Sequence, residues 1–454
     1  MKKLLLIVSF LFTAYGAQAQ YWTEYATAQP AVSTGVNSMS IVDDNVTWLS
    51  MACGTTGCPT IRRYSRTTNG GLTWTTGVID LGTASTSLQI SNIHGISATV
   101  AYVTASPRAG FTATGGIWKT TDGGATWARQ STASYNDAAS FANVVYFFNE
   151  NEGVSMGDPV NGYFEIYTTT NGGANWTRVG SSPALIPFDP EDYGLTNQFT
   201  TLGNTIWFGT TFGRIIKSTD KGLTWTVSQS PIPDFGGGIN GDGSGDLAFT
   251  DQSNGLLQTD AYELYKTSDG GVTWTPIEVQ ADTKLKNFGI AAIPGLVNTY
   301  ISVGEDLETS PERGSAYTLD GGVTWYNIDD AEQVDGGVVQ FKSPTNGFCS
   351  GFTTSAAVGG IWKWNGLPLL KATSFSNDNL FTATPNPTTG LLELSGKNIS
   401  NVIVYDILGK QVSATNYSAL NNVSLNLSAL NNGVYMVKVT NNTGNTSTIK
   451  VVKQ

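Results

Sequence analysis

From Tyr21 to Lys363 the chain alternates short apolar-rich runs with Asn, Asp and Gly turns, and the alternation recurs in blocks. One block reads Val144–Phe148, a turn over Asn149–Gly153, then Val154–Gly157 and Tyr163–Thr168; Phe199–Gly209, Leu247–Gly255 and Ile290–Gly304 carry equivalent units. Runs of this length with a period near two, bounded by turn residues, predict β-strands. The two ends read differently. Lys2 and Lys3, the apolar run Leu4–Tyr15 and Ala17-Gln18-Ala19 have the layout of a secretory signal over residues 1–19, with a mature chain starting at Gln20. About a dozen apolar residues fall short of the roughly 20 a membrane-spanning helix needs, and no later stretch is long and apolar enough. After Lys371 a polar stretch, residues 372–380, leads into shorter strands at Leu391–Leu394, Val402–Asp406, Val423–Leu427, Val434–Val439 and Ile449–Val452, the pattern of a small β-sandwich.

Each full block closes on the same cluster. Thr-Asp/Asn-Gly-Gly-x-Thr-Trp, or a close variant, occurs six times, built on Asn69 and Trp74, Asp122 and Trp127, Asn171 and Trp176, Asp220 and Trp225, Asp269 and Trp274, and Asp320 and Trp325. The tryptophans lie 53, 49, 49, 49 and 51 residues apart. A period near 50 predicts propeller blades. The chemistry is that of a turn: a carboxylate or amide accepts from amides just ahead of it, and the glycines accept the positive φ of a tight hairpin. A seventh block ends at Gly360-Ile361-Trp362-Lys363, like Gly116-Ile117-Trp118-Lys119, without a box after it. Tyr21–Tyr25 reads as the missing outer strand, because Trp22 stands 52 residues before Trp74. The expectation is a seven-bladed all-β propeller over residues 20–371 whose N-terminal strand closes the last blade and leaves no open sheet edge.

The cluster resembles the Asp-box, or BNR repeat, of sialidases, sortilin-type receptors, xyloglucanases and photosystem II assembly-factor-like propellers. That resemblance implies that the box joins the third and fourth strands of a blade, on the side away from the ligand, and marks architecture, not activity. In the tail, Pro385-Asn386-Pro387 with Gly390, Val404-Tyr405-Asp406 with Gly409-Lys410, Gly433-Val434-Tyr435 and Lys450-Val451-Val452-Lys453 resemble the type A C-terminal sorting domain of the Bacteroidetes type IX secretion system. For residues 381–454, an Ig-like sandwich, this implies recognition by an outer-membrane translocon, removal by its sortase, and release or attachment at the cell surface.

Composition sharpens this. With 52 Gly, 12 Trp, 18 Tyr and 19 Phe and only 13% charged residues, the chain is neither disordered nor a helical bundle. The net charge is −11; residues 20–374 hold 17 Lys and Arg against 32 Asp and Glu. Such acidity excludes nucleic acid as a partner, since phosphate binding needs clustered cations. Export permits disulfides, and Cys53-Gly-Thr-Thr-Gly-Cys58 is spaced for a local bridge, leaving Cys349 as a buried thiol. The single His, His94, reads as an ordinary strand residue. A monomer is expected.

Candidate chemistry lies in loops. Ser181–Thr196 carries Asp189, Glu191 and Asp192; Ser228–Gly245 carries Asp234 and Asp242, with Asp246 just beyond. Asp158 and Glu305 follow the second strands of their blades and so are expected to face the same pore. These carboxylates suggest an acid and base pair acting on a glycan, and Asp242 with Asp246 has a weak Ca²⁺-loop character; no other cofactor is expected. The eight arginines do not form the converging triad a sialidase needs, since Arg62, Arg63, Arg66, Arg129, Arg178 and Arg214 fall on or beside the outer strands. The leading expectation is a non-catalytic module that binds a glycan or a surface protein. The alternative is a glycoside hydrolase, xyloglucanase-like or, less in keeping with the arginines, sialidase-like.

Overall fold

The computed structural model describes residues 21–55, 60–236, 245–279, 283–307, 313–328, 334, 336–366, 381–406, 411–442 and 446–454. The proposed signal, the 372–380 linker, Cys58, Asp242 and the Gly409 turn lie outside them. The chain divides into two compact units, Met1–Leu367 and Pro368–Gln454.

In the first unit β1 (Trp22–Ala26) precedes an antiparallel group of four, β2 (Thr34–Ile41), β3 (Thr47–Cys53), β4 (Arg63–Thr67) and β5 (Thr75–Val78). The same up-and-down order then recurs. The second group is β6 (Leu88–Gly95), β7 (Ala101–Pro107), β8 (Gly116–Thr120) and β9 (Ala128–Arg129). The third is β10 (Ala142–Phe147), β11 (Gly153–Val160), β12 (Tyr163–Thr169) and β13 (Thr177–Arg178). The fourth is β14 (Gly194–Leu202), β15 (Thr205–Thr210), β16 (Arg214–Ser218) and β17 (Thr226–Gln229). The fifth is β18 (Gly245–Phe249), β19 (Gly255–Thr259), β20 (Leu264–Thr267) and β21 (Thr275–Ile277). The sixth is β22 (Gly289–Ala292), β23 (Tyr300–Glu305), β24 (Arg313–Thr318) and β25 (Tyr326–Asn327). Last come β26 (Val339–Ser343), β27 (Asn346–Ser355) and β28 (Val358–Trp364), and here β1 supplies the outer strand, pairing Trp22 with Trp364 and Ala26 with Gly360. The first and last groups also touch edge to edge at one register pair, Gly35 with Phe352.

The boxes explain why each outer hairpin forms. In the second box the Asp122 carboxylate accepts from the Thr126 amide (2.9 Å) and hydroxyl (2.6 Å), bonds that hold its pKa down at about 2. Gly123 and Gly124 turn the chain at φ 76° and 93°. A further hydroxyl completes the turn. Thr120 donates to Asp122 and accepts from the Gly124 amide, and Thr67, Thr169, Ser218, Thr267 and Thr318 do the same in the other five boxes. The structurally required hydroxyl therefore stands two residues before the Asp or Asn. The Thr one residue before it is replaceable, as Leu319 shows.

Packing joins neighbouring groups. Among the described residues seven apolar clusters fill the spaces between sheets, and each draws side chains from two groups adjacent in the chain or, in one case, from the last and the first. Trp74 lies against Phe348 of the last group, and Trp225 lies with Val154 and Ile166 of the third. Polar bonds cross the same gaps: Tyr64 and Arg66 donate to the Gly123 carbonyl, Tyr102 and Lys119 to Gly172, and Trp207 and Lys217 to Gly270. Burying roughly 150–250 Å² of each indole contributes about 4–6 kcal/mol before entropy.

The second unit contains β29 (Phe381–Thr384), β30 (Leu391–Tyr405), β31 (Gln411–Asn426), β32 (Gly433–Asn441) and β33 (Thr446–Lys453), hydrogen-bonded as one sheet around one core. Two strands expected from the sequence, Leu391–Leu394 and Val402–Asp406, are parts of the single strand β30. Its register shifts between Ser395 and Ile399 against β31, so the polar stretch between the two expected strands stays in the ladder as an irregularity.

Trp225→Ala should destabilise the chain by about 3–5 kcal/mol, measured by denaturant unfolding, as a large-to-small change between sheets. Thr120→Val should cost about 1–3 kcal/mol by orphaning the Gly124 amide, whereas Thr121→Val should stay within about 0.5 kcal/mol.

Candidate functional site

The inner strands β2, β6, β10, β14, β18, β22 and β26 stand side by side in that order, and β26 returns against β2. All seven line one cavity of about 680 Å³. Its wall is mostly neutral and polar, with Ser38, Ser40, Asn92, Asn197, Gln258 and Asn287 among apolar Ile93, Val338 and Phe288. Glu150, Asp246 and Asp260 bring negative charge to it, and Lys342 positive. The β14 register shifts between Gly194 and Phe199. From this irregular stretch Asn197 reaches β2, three places around, and donates to the Asn37 carbonyl at 2.8 Å.

His94 proves to be part of this wall. Its ring packs on Tyr146 with centroids 4.5 Å apart, and burial pushes its pKa down to about 3, so it faces the cavity as a neutral imidazole. Asp246 also lines the cavity. Its carboxylate accepts from the Leu247 amide at 2.8 Å and the Ile290 amide at 3.2 Å, and burial raises its pKa to about 6. Among the described residues no group of three or more His, Cys, Asp or Glu is arranged to hold a metal ion.

The other candidates lie elsewhere. Asp158 and Glu305, expected to face a shared pore, do not line the cavity. Asp158 accepts from Asn143 Nδ2 at 2.8 Å and from the Gly194 amide at 3.0 Å, and burial raises its pKa to about 7. Gly194 is required at this crossing, because a Cβ there would sit 2.4 Å from Asn143 Nδ2 and 2.5 Å from the Phe208 ring. Glu305 pairs with Arg313 at 3.0 Å near the surface. Asp192 is fully buried and bound to Arg214 at 2.7 Å, and it also accepts from the Phe188 amide. Asp234 is buried and accepts from the Gly236 amide at 2.6 Å. Asp189 accepts from the Glu191 amide, within a turn that leaves Glu191 exposed. A second buried pair, Lys286 with Asp306 at 3.1 Å, fixes the segment leading into β22. These carboxylates therefore mostly fasten loops. Cys53 is disulfide-bonded, and Cys349 is a buried thiol that donates to the Gly336 carbonyl.

Apart from Asp246, the sequence does not single out the cavity wall, because its members are spread over seven strands with no shared spacing motif. The one usable signal is polar residues such as Asn92 and His94 alternating with apolar Ile93 in the inner strand β6.

Comparison with known proteins adds two family matches. Residues 85–231 match the photosynthesis system II assembly factor YCF48 family, and residues 383–454 match the secretion system C-terminal sorting domain. The solved structure of YCF48 from Cyanidioschyzon merolae is 16% identical with a TM-score of 0.51, covering 76% of this chain and 99% of that one. A xyloglucanase from Hypocrea jecorina is 24% identical over 196 residues, 42% of this chain and 20% of that protein. Xyloglucanase Xgh74A from Acetivibrio thermocellus is 25% identical over 216 residues, 40% of this chain and 24% of that protein. The chain thus spans a quarter or less of the length of these curated relatives. The first unit carries a BNR propeller domain similar to YCF48, and the C-terminal sorting domain directs the chain through type IX secretion to the cell surface or the medium. No helix among the described residues is long and apolar enough to cross a membrane.

Asp158 gives a pH signature. A folded-state pKa near 7, above the ordinary 3.8, means that the fold favours the protonated carboxyl. The stability this contributes is full below about pH 4 and is lost as pH rises through about 7. Urea unfolding of wild type and Asp158→Asn should therefore show the variant gaining relative stability between pH 4 and pH 8; a constant offset would contradict the assignment.

Proposed function

We propose that the first unit is a closed seven-bladed propeller acting as a non-catalytic binding module, which takes a glycan or a protein segment in its central cavity. The second unit is read as an Ig-like sandwich, recognised by the type IX translocon and removed by its sortase. Seven inner strands in cyclic contact, seven inter-sheet cores and the pairing of β1 with β28 support the ring. The observation that carries the binding reading is where the polar groups stand. Asp192, Asp234 and Glu305 are engaged in fastening loops, while the large concavity exposes many neutral amides and hydroxyls beside a few charged groups, a wall suited to hydrogen-bonding a polar ligand.

One observation favours a glycoside hydrolase. Asp158, with a pKa near 7, has the protonation state of a general acid at neutral pH, and the matched xyloglucanases are glycosidases by name. The two readings separate on a glycan array followed by product analysis of every hit. The binding reading expects retention of intact glycan, lost in Asn197→Trp, which puts bulk at the cavity wall. Release of shortened products that stops in Asp158→Asn would establish the hydrolase instead.

A further inference from the structure

One corner of the cavity is specific about the chemical group it accepts. Asp246 on β18 and Gln258 on β19 are register partners, so their side chains stand beside each other on one face, and both line the cavity. Gln258 is only 2% exposed. Its Nε2 donates to the Lys286 carbonyl, which fixes the orientation of the amide, since only the NH₂ end can serve a carbonyl. Oε1 is thereby left buried with no hydrogen-bond partner. Each Asp246 oxygen accepts one backbone amide and keeps a further lone pair. Two acceptors thus meet at this corner, one of them orphaned in a place where an unmet acceptor is costly.

The surroundings select among donors. Glu150 and Asp260 add negative charge to the wall against Lys342, and His94 is neutral, so the cavity favours a cation. A hydroxyl brings a single donor and cannot serve both acceptors, whereas an ammonium brings three. Phe288, at 43% exposure, offers apolar surface on the same wall for a hydrocarbon stem. We propose that Asp246 and Gln258 form the recognition point for a primary ammonium carried on an apolar stem, as on a lysine side chain of a protein partner. This rests on the reading of the central cavity as the binding site.

The test is a calorimetric titration of the full chain with Nα-acetyl-lysine methylamide and with its uncharged counterpart, Nα-acetyl-norleucine methylamide. Saturable binding of the lysine derivative alone is expected, weakened about tenfold or more by Asp246→Asn and by Gln258→Met, as for loss of a charge-assisted bond. Asp246→Asn keeps an acceptor for one of the two backbone amides and turns its NH₂ toward the other, and Gln258→Met gives up the bond to the Lys286 carbonyl, so the melting transition of each variant is measured beside its binding, and a transition within a few degrees of wild type shows that lost binding does not reflect lost folding. Equal binding of the two derivatives, or undiminished binding by both variants, would overturn the proposal. Tighter binding of glucosamine than of the lysine derivative would overturn the choice of lysine. If Asn197→Trp abolishes an array hit while the lysine derivative fails to bind wild type, this inference alone falls; if the hit survives Asn197→Trp, the cavity reading falls with it.

Discussion

A four-stranded sheet with two apolar faces is stable only when both faces are covered, and in the first unit each sheet is covered by its neighbours. Trp74, Trp176, Trp225 and Trp325 are buried in the spaces between sheets, and the polar bonds at those spaces run to the glycine carbonyls of the next box. Turn chemistry and sheet packing are therefore one interaction. The hydroxyl of Thr120, Thr169 or Thr267 sets the turn, the turn presents its first glycine carbonyl outward, and the adjacent sheet's Tyr, Trp, Lys or Arg anchors on that carbonyl. An array with ends would leave two faces bare. The contact of the last group with the first removes that exposure.

The same framework decides what loops and inner strands are free to do. Sheets fixed on both sides hold their inner strands at a set distance from one another, and the polar cavity is the space that remains. Loops are fastened separately. Arg214 draws Asp192 and the Ile186 carbonyl into the interior, and Lys286 does the same with Asp306. Buried pairs of this kind contribute little net stability, because desolvation offsets their attraction, yet breaking one partner is expensive. Their effect is to restrict those loops to a single arrangement.

The fold was legible where its causes are local. The box writes its turn into seven consecutive residues, and the even spacing of the tryptophans follows from similar sheets, so strand order and the place of the Trp22 strand in the last sheet follow from the chain alone, while its register, Trp22 opposite Trp364, does not. The hydroxyl two residues upstream was also visible, though Thr68 and Thr121 beside it draw the eye. What depends on remote partners was hidden. Asp192 reads as an exposed loop acid until Arg214, 22 residues on, is seen to cover it. Asp158 and Glu305 occupy equivalent sequence positions and differ in environment, one beneath the Gly194 crossing and the other beside Arg313. His94 looked ordinary because nothing near it in sequence reports that β6 faces the cavity.

The pairing of β1 with β28 joins residues such as Thr23 and Asn365, which are 342 positions apart. On a ribosome the first strand made must wait for the last of its set before it has a partner, and loop closure over that span comes late for entropic reasons. Until then the nascent chain carries an unpaired strand edge that is open to pairing with its like. Completing the last sheet is thus the longest wait of any strand pairing in this unit.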